Sequence, residues 1–179
     1  LPLEPLRGLN RLPEPSKGDL YFDIEGDHFY EDGGIEYLFG MAFLNGSDEI
    51  EYKSYWAKNR MEEKNMFSEF MSFILGRWDK NPGMHIYHYA PYEPTAIKRL
   101  ASRSAIYEHE VDRLLRSDRF IDLFSVIKET LIASVESYSL KEIEKFTDYA
   151  RKADLRLASD ARRRISIALG FDDFSSFSK

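Results

Sequence analysis

The sequence predicts an α/β fold in which helices flank one mixed β-sheet. Residues 19–56 contain three strand-like stretches separated by turn signals. Over residues 61–78 the apolar residues instead recur at the three- and four-residue spacing of an amphipathic helix. Short apolar strands then alternate with further helical stretches. This order of elements is typical of a sheet with helices on both faces.

The first predicted strand covers residues 19–25 and alternates strictly. Leu20, Phe22 and Ile24 face one side, and the tyrosine and two acids between them face the other. Such alternation is typical of a strand with one buried face.

Two more strands complete an antiparallel meander. A polar loop at residues 27–34 precedes the apolar stretch 35–44, and the Asn-Gly pair at 45–46 is a strong hairpin signal. Residues 49–56 return as the third strand. The remaining elements follow from periodicity and turn signals. Strands are predicted at residues 84–89 and 120–123, and helices at 61–78, about 95–104, 108–115, from the end of the last strand to 131, 138–146 and 152–169.

Residues 1–18 are expected to form an extended, linker-like segment ahead of one domain at 19–179. Four prolines lie within the first fifteen residues, and proline disfavours both helix and ladder pairing. Because the sequence begins with Leu1, we expect a domain taken from a longer polypeptide.

Composition excludes several classes of protein. The 179 residues include no cysteine, which excludes disulfides, thiolate metal sites and cysteine nucleophiles and favours a reducing cytoplasm. No apolar run is long enough to span a membrane and no signal peptide is evident. The net charge of −6 argues against a broad surface that coats nucleic acid. The net charge is uneven, −7 over residues 1–90 and +1 over residues 91–179. This fits either an acidic half with metal ligands beside a basic half that binds phosphates, or ordinary surface variation.

The strongest chemical signal is the pair Asp23 and Glu25. Spacing of two on a strand places both carboxylates on one face, where like charges repel unless a cation or proton lies between them. Mg²⁺ or Mn²⁺ fits such oxygen ligands. On an exposed strand, the same pattern is simply the solvent face.

Two later acids are additional candidates. Glu93 lies where a strand gives way to a helix, so it is either a ligand at the sheet edge or a favourable charge at the helix N-terminus. Asp122 ends the short strand at 120–123, and it is either near the site or the N-cap of the next helix.

Five stretches resemble one known domain in matching order. They are residues 18–27 (GDLYFDIEGD), 35–40 (IEYLFG), 88–93 (HYAPYE), 120–123 (FIDL) and 137–141 (SYSLK). Together they resemble the RNase H-like, DEDD-type (DnaQ-type) exonuclease domain found within RecB-family nucleases.

This resemblance implies a five-stranded mixed sheet, a three-strand antiparallel meander plus parallel strands, flanked by helices. It also implies phosphodiester hydrolysis by two Mg²⁺ or Mn²⁺ ions, one activating water and the other stabilising the leaving oxygen. Asp23 and Glu25 match the ligands of the first motif. Glu93 stands where the second motif usually has Asp, and Asp122 matches a position close to the site.

One departure from the family pattern concerns a late helix. The family's fourth acid lies there, with Tyr or His four residues earlier. The late acids of this chain are instead preceded at that distance by Ala150, Arg156, Ala168 and Leu169. Either the last motif lies beyond this sequence or it is lost, and two-metal hydrolysis is then in doubt.

Candidate contacts to nucleic acid are Tyr92, Lys141, Arg151 and Lys152. The basic stretch from 151 to 164 is either a phosphate-binding face or a solvated helix face. Lys141 opens a helix at which a phosphate is expected, although capping by Ser139 explains the same pattern. Tyr92 and other tyrosines either stack on bases or belong to the core.

The sequence thus predicts a metal-dependent nuclease domain acting on DNA or RNA, with 3′→5′ exonuclease activity as the family expectation. Helicase or other nuclease domains of a parent protein are the expected partners. The alternative is a catalytically inactive module of the same fold that binds nucleic acid or other domains. A purely structural domain is a third reading.

Overall fold

The computed structural model describes residues 7–31, 33–149 and 155–175. The strands are β1 (Leu20–Asp27), β2 (Ile35–Leu44), β3 (Ile50–Trp56), β4 (Ile86–His88) and β5 (Phe120–Asp122). The helices are α1 (Arg60–Lys80), α2 (Tyr92–Ser104), α3 (Glu108–Arg116), α4 (Leu123–Thr130), α5 (Leu140–Ile143) and α6 (Leu155–Phe171). Short 3-10 turns lie at Gly8–Arg11 and Glu144–Phe146. Within this part of the chain, no helix is long and apolar enough to cross a membrane.

The strands form one five-stranded mixed sheet in the order β3-β2-β1-β4-β5. β1 pairs with β2 and β2 with β3 in antiparallel fashion, whereas β1 pairs with β4 and β4 with β5 in parallel. The predicted fold class, with its meander and parallel strands, is confirmed. This order puts the carboxyl ends of β1, β4 and β5 at the same edge of the sheet.

The buried face of β1 packs against helices. Leu20, Phe22 and Ile24 belong to the main core, and the Phe22 ring stacks on Phe70 of α1 at 4.5 Å between centroids. Burying a large apolar side chain contributes about 1.5–3 kcal/mol, so this face determines which side of β1 turns inward. The residues between these apolar positions consequently point to the opposite face.

Helix α1 begins and ends where its sequence predicts. The Asn59 side chain caps its N-terminus by accepting a hydrogen bond from the Glu62 amide at 2.9 Å. Asn81 and Pro82 follow its last turn. The helix therefore extends only one or two residues beyond the predicted 61–78 at each end.

Two buried glutamates connect β2 to α1 and α2. Glu36 pairs with Arg99, and Glu63 pairs with Arg103 at 2.5 Å. Glu63 also accepts a hydrogen bond from the Glu36 amide at 2.7 Å. Buried charges are tolerated only when they are paired in this way, so these contacts fix α2 relative to the sheet.

The N-terminal segment departs from its extended prediction at Gly8–Arg11. This 3-10 turn packs against α4, where the Gly8 amide donates a hydrogen bond to Glu129 at 2.8 Å and Arg11 pairs with the same carboxylate at 3.2 Å. Gly8 has φ +57°, and a Cβ there would lie 2.8 Å from the Thr130 hydroxyl. Glycine allows the backbone at position 8 to approach α4 closely. The number of prolines in this segment did not predict that contact.

Candidate metal centre

The outward face of β1 carries Asp23 and Glu25, as its alternation predicts. Both side chains line a cavity of about 410 Å³ that crosses the uncovered face of the sheet. The other lining residues are mainly apolar and aromatic: Tyr21, Phe22, Leu38, Gly40, Ala42, Tyr52, Tyr87, His88, Tyr89, Leu123 and Leu140. The acids therefore lie at one side of a cavity with a tyrosine-rich wall.

Asp23 is paired with Glu93, the second residue of α2. The two carboxyl groups are close enough that a proton shared between them would relieve their repulsion. Although the Asp23 carboxyl opens into the cavity, burial by surrounding protein atoms, together with the charges of Glu25 and Glu93, raises its pKa to about 6. Two acids from separate elements thus converge here.

Glu93 is a buried acid with an unsatisfied oxygen. Its residue is 3% exposed, and its Oε2 atom has no hydrogen-bond partner within the described residues. The nearest imidazole, that of His88, lies 3.5 Å away and donates through Nδ1 to the Ala90 carbonyl at 2.7 Å instead. A buried acceptor without a partner is costly, so this oxygen is available to a further donor or to a cation.

Glu25 is turned toward helix α6. Its Oε2 lies 3.6 Å from Nη1 of Arg162. No group of three His, Asp or Glu side chains among the described residues is arranged around a metal position. Two of the three predicted ligands are together, and the third is paired with a cation.

The donor set nonetheless fits a hard divalent cation. Asp23, Glu25 and Glu93 offer only carboxylate oxygens, which Mg²⁺ and Mn²⁺ prefer. The partnerless Glu93 oxygen is the observation that supports this fit, because a cation would satisfy it.

Asp122 acts as the N-cap of α4. It accepts hydrogen bonds from the Phe124 amide at 3.0 Å, the Ser125 hydroxyl at 2.5 Å and the Ala90 amide at 2.9 Å. Burial alone raises the pKa of Asp122, but the bonds from Ser125 and Ala90 outweigh it and leave the pKa below its ordinary value. With its oxygens committed, Asp122 holds the Ala90 turn, which has φ +72° and leads into α2.

The tyrosines divide between the cavity and the structure around it. Tyr21 and Tyr87 stack at 5.2 Å between ring centroids, and Tyr89 donates to the Tyr138 carbonyl. Tyr92 lies off the cavity lining, where its hydroxyl donates to Glu36 at 3.0 Å. Tyr92 is therefore held by the buried charge network and does not form part of the cavity wall.

Sequence reasoning missed Tyr52 of β3. Gly40 pairs with Asp23 across the β1–β2 ladder, and a Cβ at position 40 would lie 2.6 Å from the Tyr52 hydroxyl. Burial, and then the charge of Asp23, raises the pKa of Tyr52, which keeps it a protonated donor at neutral pH. The glycine within an apolar strand is the sequence signal that marks this close approach.

The predicted basic contacts lie at different places. Lys141 is exposed on α5, beside the cavity-lining Leu140. Arg151 and Lys152 lie outside the described residues. Arg162, one member of the predicted basic stretch, is the arginine that reaches Glu25.

A family model described as RNase_H superfamily matches residues 20–161. The chain belongs to the RNase H superfamily, and its nuclease-like function follows from that membership. No curated protein and no solved structure gives a significant match. The narrower resemblance to DEDD-type and RecB-family nucleases stays a prediction.

Proposed function

We propose that this chain is a metal-dependent nuclease domain that hydrolyses phosphodiester bonds of DNA or RNA. Asp23, Glu25 and Glu93 would hold Mg²⁺ or Mn²⁺, with Asp122 supporting the turn that presents Glu93. The observation that carries the proposal is the partnerless, buried Oε2 of Glu93 beside the carboxyl group of Asp23.

The elevated pKa of Asp23 supports a cation site. With a pKa of about 6, this carboxyl group is held in an environment that opposes its negative charge. A divalent cation supplies the missing positive charge and displaces the proton that the raised pKa of Asp23 favours. Acids on a fully solvated strand keep their ordinary pKa and need no cation. The raised pKa of Asp23 therefore favours a metal site over the alternative that β1 simply faces solvent.

A bound ion would activate water and stabilise charge on the phosphate, the chemistry that divalent metals supply in nucleases. The chain's own residues have other tasks. Tyr21, Tyr87 and Tyr89 form an aromatic wall against which a nucleotide can lie, next to the acids. Lys141 stands near the same cavity as a phosphate contact.

The finer assignments are part of this proposal. The resemblance supports 3′→5′ exonuclease activity and a parent protein with helicase or further nuclease domains, and the absence of cysteine fits a cytoplasmic location. Arg151 and Lys152 are proposed phosphate contacts on the strength of their charge. Tyr92 is a weaker candidate than the three cavity tyrosines, because Glu36 already holds its hydroxyl.

The direct test is degradation of 5′-labelled single-stranded DNA and RNA in the presence of Mn²⁺ or Mg²⁺. We expect a ladder of shortened products from the 3′ end, abolished by EDTA and by Asp23→Asn. Asp79→Asn, at an exposed position near the end of α1, is the matched control and should retain activity.

A second candidate function is favoured by the Glu25–Arg162 pair. The guanidinium of Arg162 already neutralises Glu25, one of the predicted metal ligands. In this reading no metal is held, and the domain binds nucleic acid without cutting it. Binding of the same oligonucleotides with no shortening at any Mn²⁺ concentration would establish this inactive module and reject the nuclease.

A further inference from the structure

We infer that Arg162 is a substrate-contacting residue that exchanges partners: it pairs with Glu25 in the free protein and with a substrate phosphate once a divalent cation takes Glu25. This inference rests on the proposed function. Its consequence is that cation binding and nucleic-acid binding strengthen each other through one arginine.

The ion pair between Arg162 and Glu25 is loose. Arg162 Nη1 and Glu25 Oε2 lie 3.6 Å apart, longer than the 2.7–3.2 Å of an N–H···O hydrogen bond. The Arg162 side chain is 52% exposed, so water competes for it. Such a pair is weak and can be given up at small cost.

Helix α6 stays in place by contacts other than the Arg162–Glu25 pair. Ser166 donates a hydrogen bond to Asp27 at the end of β1, and Leu169 packs with Ile35 and Tyr37 in a small apolar cluster. These contacts lie one to two turns beyond Arg162 on the helix. Arg162 therefore remains next to the cavity when it releases Glu25.

Charge favours the exchange. Glu25 and Glu93 both act through their charge on Asp23, and a divalent cation that binds Glu25 repels the guanidinium of Arg162. A released guanidinium beside the site meets the phosphate that the cation also attracts. Arginine binds phosphate oxygens through two parallel N–H groups, which suits it to this second partner.

The neighbouring residue provides a control. Arg163 is also exposed, but it is rotated by about 100° around the helix axis relative to Arg162. It shares the general positive charge of α6 and lacks the contact with Glu25. A comparison of the two arginines thus separates local exchange from overall electrostatic attraction.

The exchange predicts opposite effects of one substitution. In Arg162→Gln, Glu25 loses its competitor, so Mn²⁺ affinity without nucleic acid should rise about two- to fivefold, the size expected of one exposed ion pair. Oligonucleotide affinity with Mn²⁺ should fall. Coupling between two ligands is reciprocal. In Arg162→Gln, the gain in oligonucleotide affinity caused by Mn²⁺ should therefore shrink by the same factor as the gain in Mn²⁺ affinity caused by the oligonucleotide.

The experiment uses the whole chain. Mn²⁺ binding is measured by calorimetry for the wild type, Arg162→Gln, Arg162→Lys and Arg163→Gln. Binding of a fluorescein-labelled, phosphorothioate-linked single-stranded oligonucleotide is measured by anisotropy with and without saturating Mn²⁺, and gel electrophoresis checks that it stays intact. Equal melting temperatures exclude a loss of fold.

Support requires tighter Mn²⁺ binding and weaker Mn²⁺-dependent oligonucleotide binding in Arg162→Gln, with Arg163→Gln showing neither, and an intermediate Arg162→Lys. If Mn²⁺ binds the wild type but both glutamine variants behave alike, the exchange is rejected and the nuclease proposal stands. If the wild type binds no Mn²⁺, the nuclease proposal and the exchange both fail.

Discussion

The carboxyl groups of Asp23 on β1 and Glu93 on α2 are close enough for the charge of Glu93 to raise the pKa of Asp23. Two residues that are seventy positions apart in the sequence thus meet where the parallel strands end. Burial, together with the neighbouring acids, makes Asp23 hold its proton to a higher pH than an isolated aspartic acid does.

The pH dependence of metal binding should follow Asp23. Its pKa of about 6 means that a proton competes with the cation below this pH. We expect Mn²⁺ affinity, measured by calorimetry, to fall steeply between pH 7 and 5. An affinity that stays constant over this range would contradict the assigned role of Asp23.

Asp23→Asn should remove Mn²⁺-dependent activity yet stabilise the metal-free protein at neutral pH. The folded pKa of about 6 exceeds the ordinary aspartate value of 3.8, so the stability linked to this group is fully present below about pH 4 and is lost as pH rises through 6. Asparagine stays uncharged at neutral pH, so the folded variant avoids the cost of a buried negative charge at this position. In EDTA, urea unfolding should show that the free energy of unfolding of Asp23→Asn exceeds that of the wild type by about 1 kcal/mol at pH 7.5 and by nothing at pH 4. The difference is smaller than the pKa shift alone would give, because water in the cavity screens the carboxylate.

Glu93→Gln should weaken Mn²⁺ binding by more than tenfold, because an amide retains one oxygen and no charge. The matched control is Glu49→Gln in the β2–β3 hairpin, where the side chain is exposed. Calorimetry on both variants decides the matter. Equal affinities would show that the partnerless Glu93 oxygen is not a ligand.

Gly40→Ala should disturb the cavity more than the fold. The new methyl group would lie 2.6 Å from the Tyr52 hydroxyl, and the exposed Tyr52 side chain can rotate away. We expect a change in unfolding free energy below about 1 kcal/mol, together with weaker oligonucleotide binding. Tyr52→Phe tests the hydroxyl alone, and wild-type binding by both variants would rule out a role for Tyr52.

Glu36→Ala should destabilise the protein strongly. It leaves Arg99 and the Tyr92 hydroxyl without their buried carboxylate, a loss of about 3 kcal/mol. Asp112→Ala removes the exposed pair with Arg116 and is expected to have little effect on urea unfolding. Similar unfolding curves for both variants would contradict the structural role of the buried network.

Local patterns predicted much of the fold and half of the site. Strict alternation in β1 predicted that Asp23 and Glu25 share a face, and apolar spacing predicted α1 to within two residues at each end. Helix α2 starts three residues before its prediction, because Pro94 fits the first turn of a helix, where its missing N–H costs nothing. Glu93 consequently lies inside the helix and is buried.

The contacts missed by sequence reasoning depend on how separate elements dock. Tyr52 meets Asp23 only through the β2–β3 register, and Arg162 meets Glu25 only because later residues of α6 pack on the sheet. Asp122 had two readings, and the three donors around its carboxylate, two of them from α4, identify it as the cap. The docking of separate elements depends on contacts between residues far apart in the sequence, which a local pattern does not encode.

The 3-10 turn at Gly8–Arg11 is fastened to Glu129 in the last turn of α4, and Leu123, the first residue of that same helix, lines the cavity. The N-terminal 3-10 turn and the cavity wall are therefore joined through one eight-residue helix, so a shift of that turn would also move Leu123.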